Sequence, residues 1–430
     1  MKKNTHFLAA DGSRVTREDS CAGYVSQMEC YTDFGFFPRK DDCYWESPFT
    51  SYTYDKYAYE EACRESVLDK RTYTLCDSLT ATDASYLVEP VDGLWLLAID
   101  GGVYLPKEMK DGKWTYQGSS AGYNLVLKHK PFLLPWVRKV VEEARKRHKT
   151  LVAFSHYPLV DFNDGVSESV HRMWGDRRFD LHRVPEAEVS EAFLQAGLRL
   201  HFAGHMHVND TGIWEGKDGK HLYNIQVPSI ATYVPAYKIL TIESDEVFRV
   251  ETVALDTVPG FDSLFPLYRA EYQSDSLKGH SPVWNKEILS ARTYGEFCDY
   301  QFRDLVRLRF IPRDLPESWR ACLDFTGARM LKAVSGEDKA NNVNWTGWCM
   351  KDLVLDVYRL RYAERLALKD IPETRLAVYR YLFDRARIST FRSAEVEMVK
   401  GLGTLFLAFL NGEPCQNFVI DLEKDTITGD

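Results

Sequence analysis

The sequence has no CxxC pair, no long basic tract and no apolar run near the ~20 residues a membrane helix needs. Each absence excludes something. Nine cysteines in 430 residues are an odd, scattered set running from Cys21 to Cys415, which does not read as a disulfide framework. Scattered buried thiols are the simpler reading, with a bridge or two inside the Cys-rich first quarter left open. The net charge of -9 and pI of about 5.7 argue against nucleic acid or an anionic membrane surface as the main partner, though not against a local pocket for phosphate. The opening MKKNTHFLAADGS has two lysines but no apolar stretch behind them, so it is no signal peptide. The longest late apolar run, 405–410, is far too short to span a bilayer. No internal repeat or low-complexity tract is present.

What is present is 45% hydrophobic and 13% aromatic residues, enough for a large core, in a length that allows two or three domains. Residues 1–85 read as irregular, rich in Tyr, Asp, Ser and Cys. From 86 to about 255 the pattern is α/β. LWLLAI (94–99) is a buried strand ending at Asp100-Gly101-Gly102, a turn. Residues 132–147 predict an amphipathic helix with Trp136, Val137, Val140, Val141 and Ala144 on one face. TLVAF (150–154) is a second buried strand. A short helix over 185–196, stopped by Gly197, precedes the strand LRLHFA (198–203). Strands are also expected over 222–227, 237–242 and 247–253. Helix then strand, twice over, implies strands buried under helices. Residues 256–282 read as a connector and 283–430 as a mostly α-helical region. There Leu353, Val357, Leu360 and Ala363, then Leu376, Tyr379, Leu382 and Phe383, recur at helical spacing.

The chemistry is expected at two places, both directly after apolar strands: Ser155-His156-Tyr157-Pro158 and Gly204-His205-Met206-His207. Functional groups in α/β sheets collect beyond the carboxyl ends of strands, so the two motifs can converge in space. On an extended segment a His-x-His pair shares one side of the chain. Neutral imidazole is a common ligand for borderline metals. Alone, His156 reads first as a hydrogen-bonded structural histidine, as do His171, His201, His221 and His280.

Strand–SHYP followed by strand–GHMH resembles the last two metal-binding motifs of the calcineurin-like metallophosphoesterases, over about residues 86–242. The YNIQVPSIATYVPAY segment is similar to the strand and loop that close that family's sandwich. The resemblance implies an α/β fold, a four-layer αββα sandwich that is N-terminally incomplete, within 1–255. It implies that His156 and His205 bind one metal and His207 a second. The two divalent ions would be Mn, Fe or Zn, and the substrate a phosphate-ester small molecule. The family's earlier motifs, DxH, GDxxD and GNHD/E, are not found before His156. Asn4-Thr5-His6 lacks the glycine. Asp180-Leu181-His182 matches DxH as text but lies between the two histidine motifs, in the wrong order. The expectation is therefore a C-terminal portion of a phosphoesterase, its remaining motifs encoded upstream, with weak or no activity by itself. Two alternatives are a non-catalytic scaffold or binding protein on the same fold, and a mononuclear site of His156, His205, His207 and a water.

Overall fold

A computed structural model describes residues 6–8, 14–16, 28–76, 79–110, 113–117, 121–279, 284–337 and 345–429. The architecture is mixed α/β with a helical C-terminal region. Two compact units divide it: Met1–Gln117 with Leu125–Ser155 and Ala196–Leu198, and Gly118–Asn124 with His156–Gln195 and Arg199–Asp430.

The first unit is built on strands β1 (Tyr44–Glu46), β2 (Tyr86–Val91), β3 (Leu94–Ala98) and β4 (Thr150–Ser155). Gly93, at φ 93°, turns the chain from β2 into antiparallel β3. β4 runs parallel to β3, with Thr150 opposite Leu94 and Phe154 opposite Ala98. Parallel neighbours need a crossover, and helix α1 (Leu133–Lys146) lies in that connection. Its buried stripe is Leu133, Trp136, Val137, Val140, Val141 and Ala144, the face expected from the 3.6-residue period. Glu46 is buried but fully employed. It accepts from Tyr44 Oη at 2.6 Å, Trp136 Nε1 at 2.8 Å and Lys139 Nζ at 2.9 Å. The region read as irregular holds β1 and a hairpin of Thr72–Cys76 with Leu79–Thr82. Asp100-Gly101-Gly102 is the expected turn, with Gly102 N donating to Asp100 Oδ1. The Asp100 carboxylate also pairs with the buried Lys130.

In the second unit, helix α2 (Ala187–Gln195) buries Val189, Phe193 and Leu194. Strands β5 (Leu200–Ala203), β6 (Asp210–Glu215) and β7 (His221–Gln226) lie with β7 in the middle, parallel to β5 and antiparallel to β6. β6 had no signature in the sequence. Asn209, Asp210, Thr211 and Gly212 are turn-type residues, yet all four are buried. Strands β8 (Ala236–Ile242) and β9 (Val247–Ala254) continue into an antiparallel sheet. Helices α3 (Met350–Ala363), α4 (Glu373–Ile388) and α5 (Ala394–Leu410) then form a core around Leu353, Val357, Tyr379, Leu382, Leu402 and Phe406. Ser393 caps α5 by accepting from Val396 N. The chain does not end in helix. β10 (Asn417–Asp421) pairs with β9, and β11 (Thr426–Gly429) pairs with β10. Among the described residues no helix is long and apolar enough to cross a membrane.

No disulfide joins any of the eight described cysteines. Cys298, Cys322 and Cys415 are buried, as expected of scattered thiols, but Cys30, Cys43 and Cys76 are exposed. Cys21 lies outside the described residues.

Candidate metal centre

His156 is the residue after β4, and His205 follows β5 by one glycine. Gly204 N donates to the His156 carbonyl at 3.2 Å, which ties the two loop tips together through backbone. The rings then meet. His205 Nδ1 lies 2.8 Å from His156 Nε2, the ring centroids are 4.7 Å apart, and Tyr157 packs edge-on against His205 at 4.5 Å.

The route by which His205 and His207 arrive differs from the sequence expectation. The segment is not extended, so the pleat of a strand does not set the side. Both histidines have left-handed backbone, φ 62° and 56°, and Met206 N folds back onto the Gly204 carbonyl at 2.7 Å. Met206 and Val208 are buried in the core between them, while His205 is half-buried and His207 exposed. Anchoring by these two apolar side chains, rather than β alternation, determines which residues stay outside.

The three rings share one electrostatic environment. Loss of solvation lowers the His156 pKa first, and the charge of His207 adds to it. His205 is lowered to about 4, chiefly by burial, then by Arg183 and by the other two rings. His207 is lowered by burial and then by Arg183. All three are therefore neutral at pH 7, the protonation state that donates a lone pair to a metal. His205 Nε2 is buried and meets no hydrogen-bond partner. With the Nδ1···Nε2 contact closed as a hydrogen bond, the ring nitrogens left over are His205 Nε2 and His156 Nδ1. One ion bound by both rings requires that hydrogen bond to open.

Among the described residues, the only group of three His, Cys, Asp or Glu side chains with ligating atoms mutually within 4.8 Å is Asp164, Asp210 and Glu364, which includes none of the three imidazoles. The residues at the imidazoles thus do not fit a complete two-ion centre. The acidic triad is a second place that could hold a metal ion. The chain matches no protein-family model and no curated protein.

The remaining sequence candidates have structural employment. His201 is fully buried, with Nδ1 2.8 Å from Asn224 Oδ1. His171 faces Asp176, and His221 faces Asp425. His280 lies outside the described residues. Asp180 of the DxH-like text receives Arg313 at 3.0 and 3.2 Å. Burial opposes its charge, and Arg361, Arg313 and Arg183 overcome that and hold its carboxyl below the usual range.

The triad was invisible in the sequence. Asp164 sits in a loop, Asp210 opens β6 and Glu364 follows the last residue of α3, so no spacing links them. The one local signal is Asp161-Phe162-Asn163-Asp164-Gly165, a turn-rich acidic stretch.

Proposed function

We propose that this chain is a metallophosphoesterase-type protein whose His156, His205 and His207 form a histidine half-site for a divalent metal, Mn, Fe or Zn, directed at a phosphoric ester. The observation that carries the reading is the contact between His205 and His156 across two strand exits, with His207 in the same electrostatic neighbourhood. The four-layer αββα sandwich belongs to this reading. Two features support it: the parallel β3–β4 pair joined through α1, and the separate antiparallel sheet of β8 to β11. Arg183, whose charge acts on both His205 and His207, suits an anionic phosphoryl group.

A bound metal pair would supply an activated water and neutralise charge on the phosphoryl oxygens. The chain's own contribution is narrower. Neutral His205 offers its unpartnered Nε2, and Arg183 adds positive field. Among the described residues no Asp or Glu forms a ligand group with the imidazoles, and Asp180, whose charge reaches His205, is engaged by Arg313, so the charge of two divalent ions is uncompensated. That shortage favours the second reading, a phosphate-ester-binding scaffold with little or no hydrolysis.

The purified chain, supplied with Mn²⁺ or Zn²⁺, is assayed with p-nitrophenyl phosphate and its diester while bound metal is measured after dialysis. The proposal expects metal binding that His205→Ala weakens by ~10-fold or more, with turnover near background. Robust turnover lost in His205→Ala overturns the scaffold reading and leaves the hydrolase. Metal binding indifferent to all three histidines removes the half-site itself.

A further inference from the structure

The acidic triad lies where charge is hardest to keep. Asp210 and Glu364 are 2% and 3% exposed, and their ligating oxygens approach each other and those of Asp164 within 4.8 Å. The hydrogen bonding open to Asp210 comes from Glu364, itself an acid, and from the backbone of Thr211. Burying carboxylates together is costly unless their charge is offset. Lys238 offsets part of the charge on Asp210. Lys238 donates to Asn209 Oδ1 at 2.7 Å, Thr252 Oγ1 at 2.9 Å and the Cys415 carbonyl at 2.7 Å. These three bonds are to neutral oxygens.

Gln226 supplies an independent sign that something belongs there. It faces Asp210 directly across the β6–β7 ladder, and opposed residues of an antiparallel pair stand on the same face. It is 0% exposed, yet neither its Oε1 nor its Nε2 has a partner. An unsatisfied buried amide is costly and calls for a ligand or bound water. The backbone closes in on the same spot. A Cβ on Gly212 would sit 2.6 Å from the Asp161 carbonyl, and one on Gly412 would sit 2.6 Å from Asp164 Oδ1. Asp164 and Glu364 are both held at positive φ, 47° and 44°.

We propose that Asp164, Asp210 and Glu364 bind one hard divalent cation, of the calcium or magnesium class, with Gln226 Oε1 as a neutral oxygen donor beside it. Carboxylates and an amide carbonyl are the donor set such cations take, and bound water fills the remaining positions. The ion compensates the three acids and joins the 161–165 loop, the start of β6 and the end of α3. Burial pushes all three carboxyls up, Asp210 to about 6, and repulsion among the acids adds to it at Asp164 and Glu364.

Calcium is the probe, because imidazole is a poor ligand for it and the histidine half-site then stays silent. The full chain is stripped with a chelator and titrated with Ca²⁺, then Mg²⁺, by calorimetry and by thermal unfolding. Expected is one ion per chain, a higher melting temperature with the ion, and an affinity loss of ~10-fold or more in Asp210→Asn and in Glu364→Gln. His205→Ala should keep the binding. The idea is overturned if the stripped wild-type chain takes up neither ion and shows no thermal shift. It also falls if both carboxamide variants bind as well as wild type. A third overturning result is a metal-free Asp210→Asn more stable than wild type alongside a wild type indifferent to both ions, which would make the triad a proton-sharing cluster.

Discussion

His205 Nδ1 and His156 Nε2 are 2.8 Å apart although 49 positions separate the residues. The contact joins a ring that has a spare, buried nitrogen to one that lies at the surface. It makes His205 the residue on which metal binding should depend most. His205→Ala is expected to lower Zn²⁺ affinity by ~10-fold or more. His156→Ala removes the surface-exposed ring of the half-site, which also orients His205, and should do less. Competition against a chromogenic chelator measures both. Equal losses would mean that the two rings hold the ion as equals, with the hydrogen bond opened.

Much of the scaffold around this contact was legible, for a physical reason. Residues 94–98 and 151–154 are continuous apolar runs, and Trp136, Val137, Val140 and Val141 repeat with the helical period, so local pattern and tertiary burial agree there. β6 was illegible because its first residues are polar and buried together, which single-residue preference reads as a turn. β10 was missed inside a helical stretch because five residues alternating about Phe418 and Ile420 are too few to outweigh their context. The histidine motifs were readable as text, but not their left-handed backbone, which depends on Met206 and Val208 finding the core. Carboxylates that meet from three distant segments leave no local trace at all.

Lys130 tests how the first unit tolerates a buried charge. Its ammonium bonds Asp83 Oδ2 at 2.7 Å, Asp100 Oδ2 at 2.9 Å and the Asp100 carbonyl at 2.7 Å, with the Lys130 and Asp83 side chains fully buried. Replacing both ends of such a pair by apolar groups can be neutral, whereas removing one leaves a stranded charge. Lys130→Met should therefore cost about 3–5 kcal/mol. The double variant Lys130→Met, Asp83→Leu should recover part of it. Urea unfolding followed by tryptophan fluorescence reads both. A Lys130→Met chain as stable as wild type would show that the cluster contributes nothing.

His201 gives the second unit a defined response to acid. Burial holds its pKa at about 4 against an ordinary value of 6.5, opposed only by its bond to Asn224. Between these values the unfolded chain binds the proton and the folded one does not, so stability falls as pH drops. The contribution is complete above pH 6.5 and is lost progressively down to pH 4. At pH 5 the loss is about 2 kcal/mol, 1.5 pH units at ~1.4 kcal/mol each. In His201→Gln, which cannot titrate, the fall in unfolding free energy from pH 7 to pH 5 should be smaller by that amount. Parallel slopes for the two chains would mean that His201 is protonated inside the fold.

Gly401, within α5, sets two opposing effects against each other. Alanine is favoured over glycine in a helix interior by about 1 kcal/mol, so Gly401→Ala should stabilise if the helix surface were open there. It is not open. A Cβ at that position would lie 2.4 Å from Trp319 Cη2 and 2.9 Å from Met173 Sδ, and Trp319 is a buried, bulky ring that has little room to retreat. Overpacking of this kind costs about 1–3 kcal/mol, more than the propensity gain. Gly401→Ala should therefore be net destabilising, and the companion change Trp319→Phe, which opens space beside the new methyl group, should reduce the penalty rather than add to it. Thermal unfolding of the two single variants and the double variant completes the cycle. If the two effects simply add, α5 does not approach Trp319 as closely as the packing at Gly401 requires.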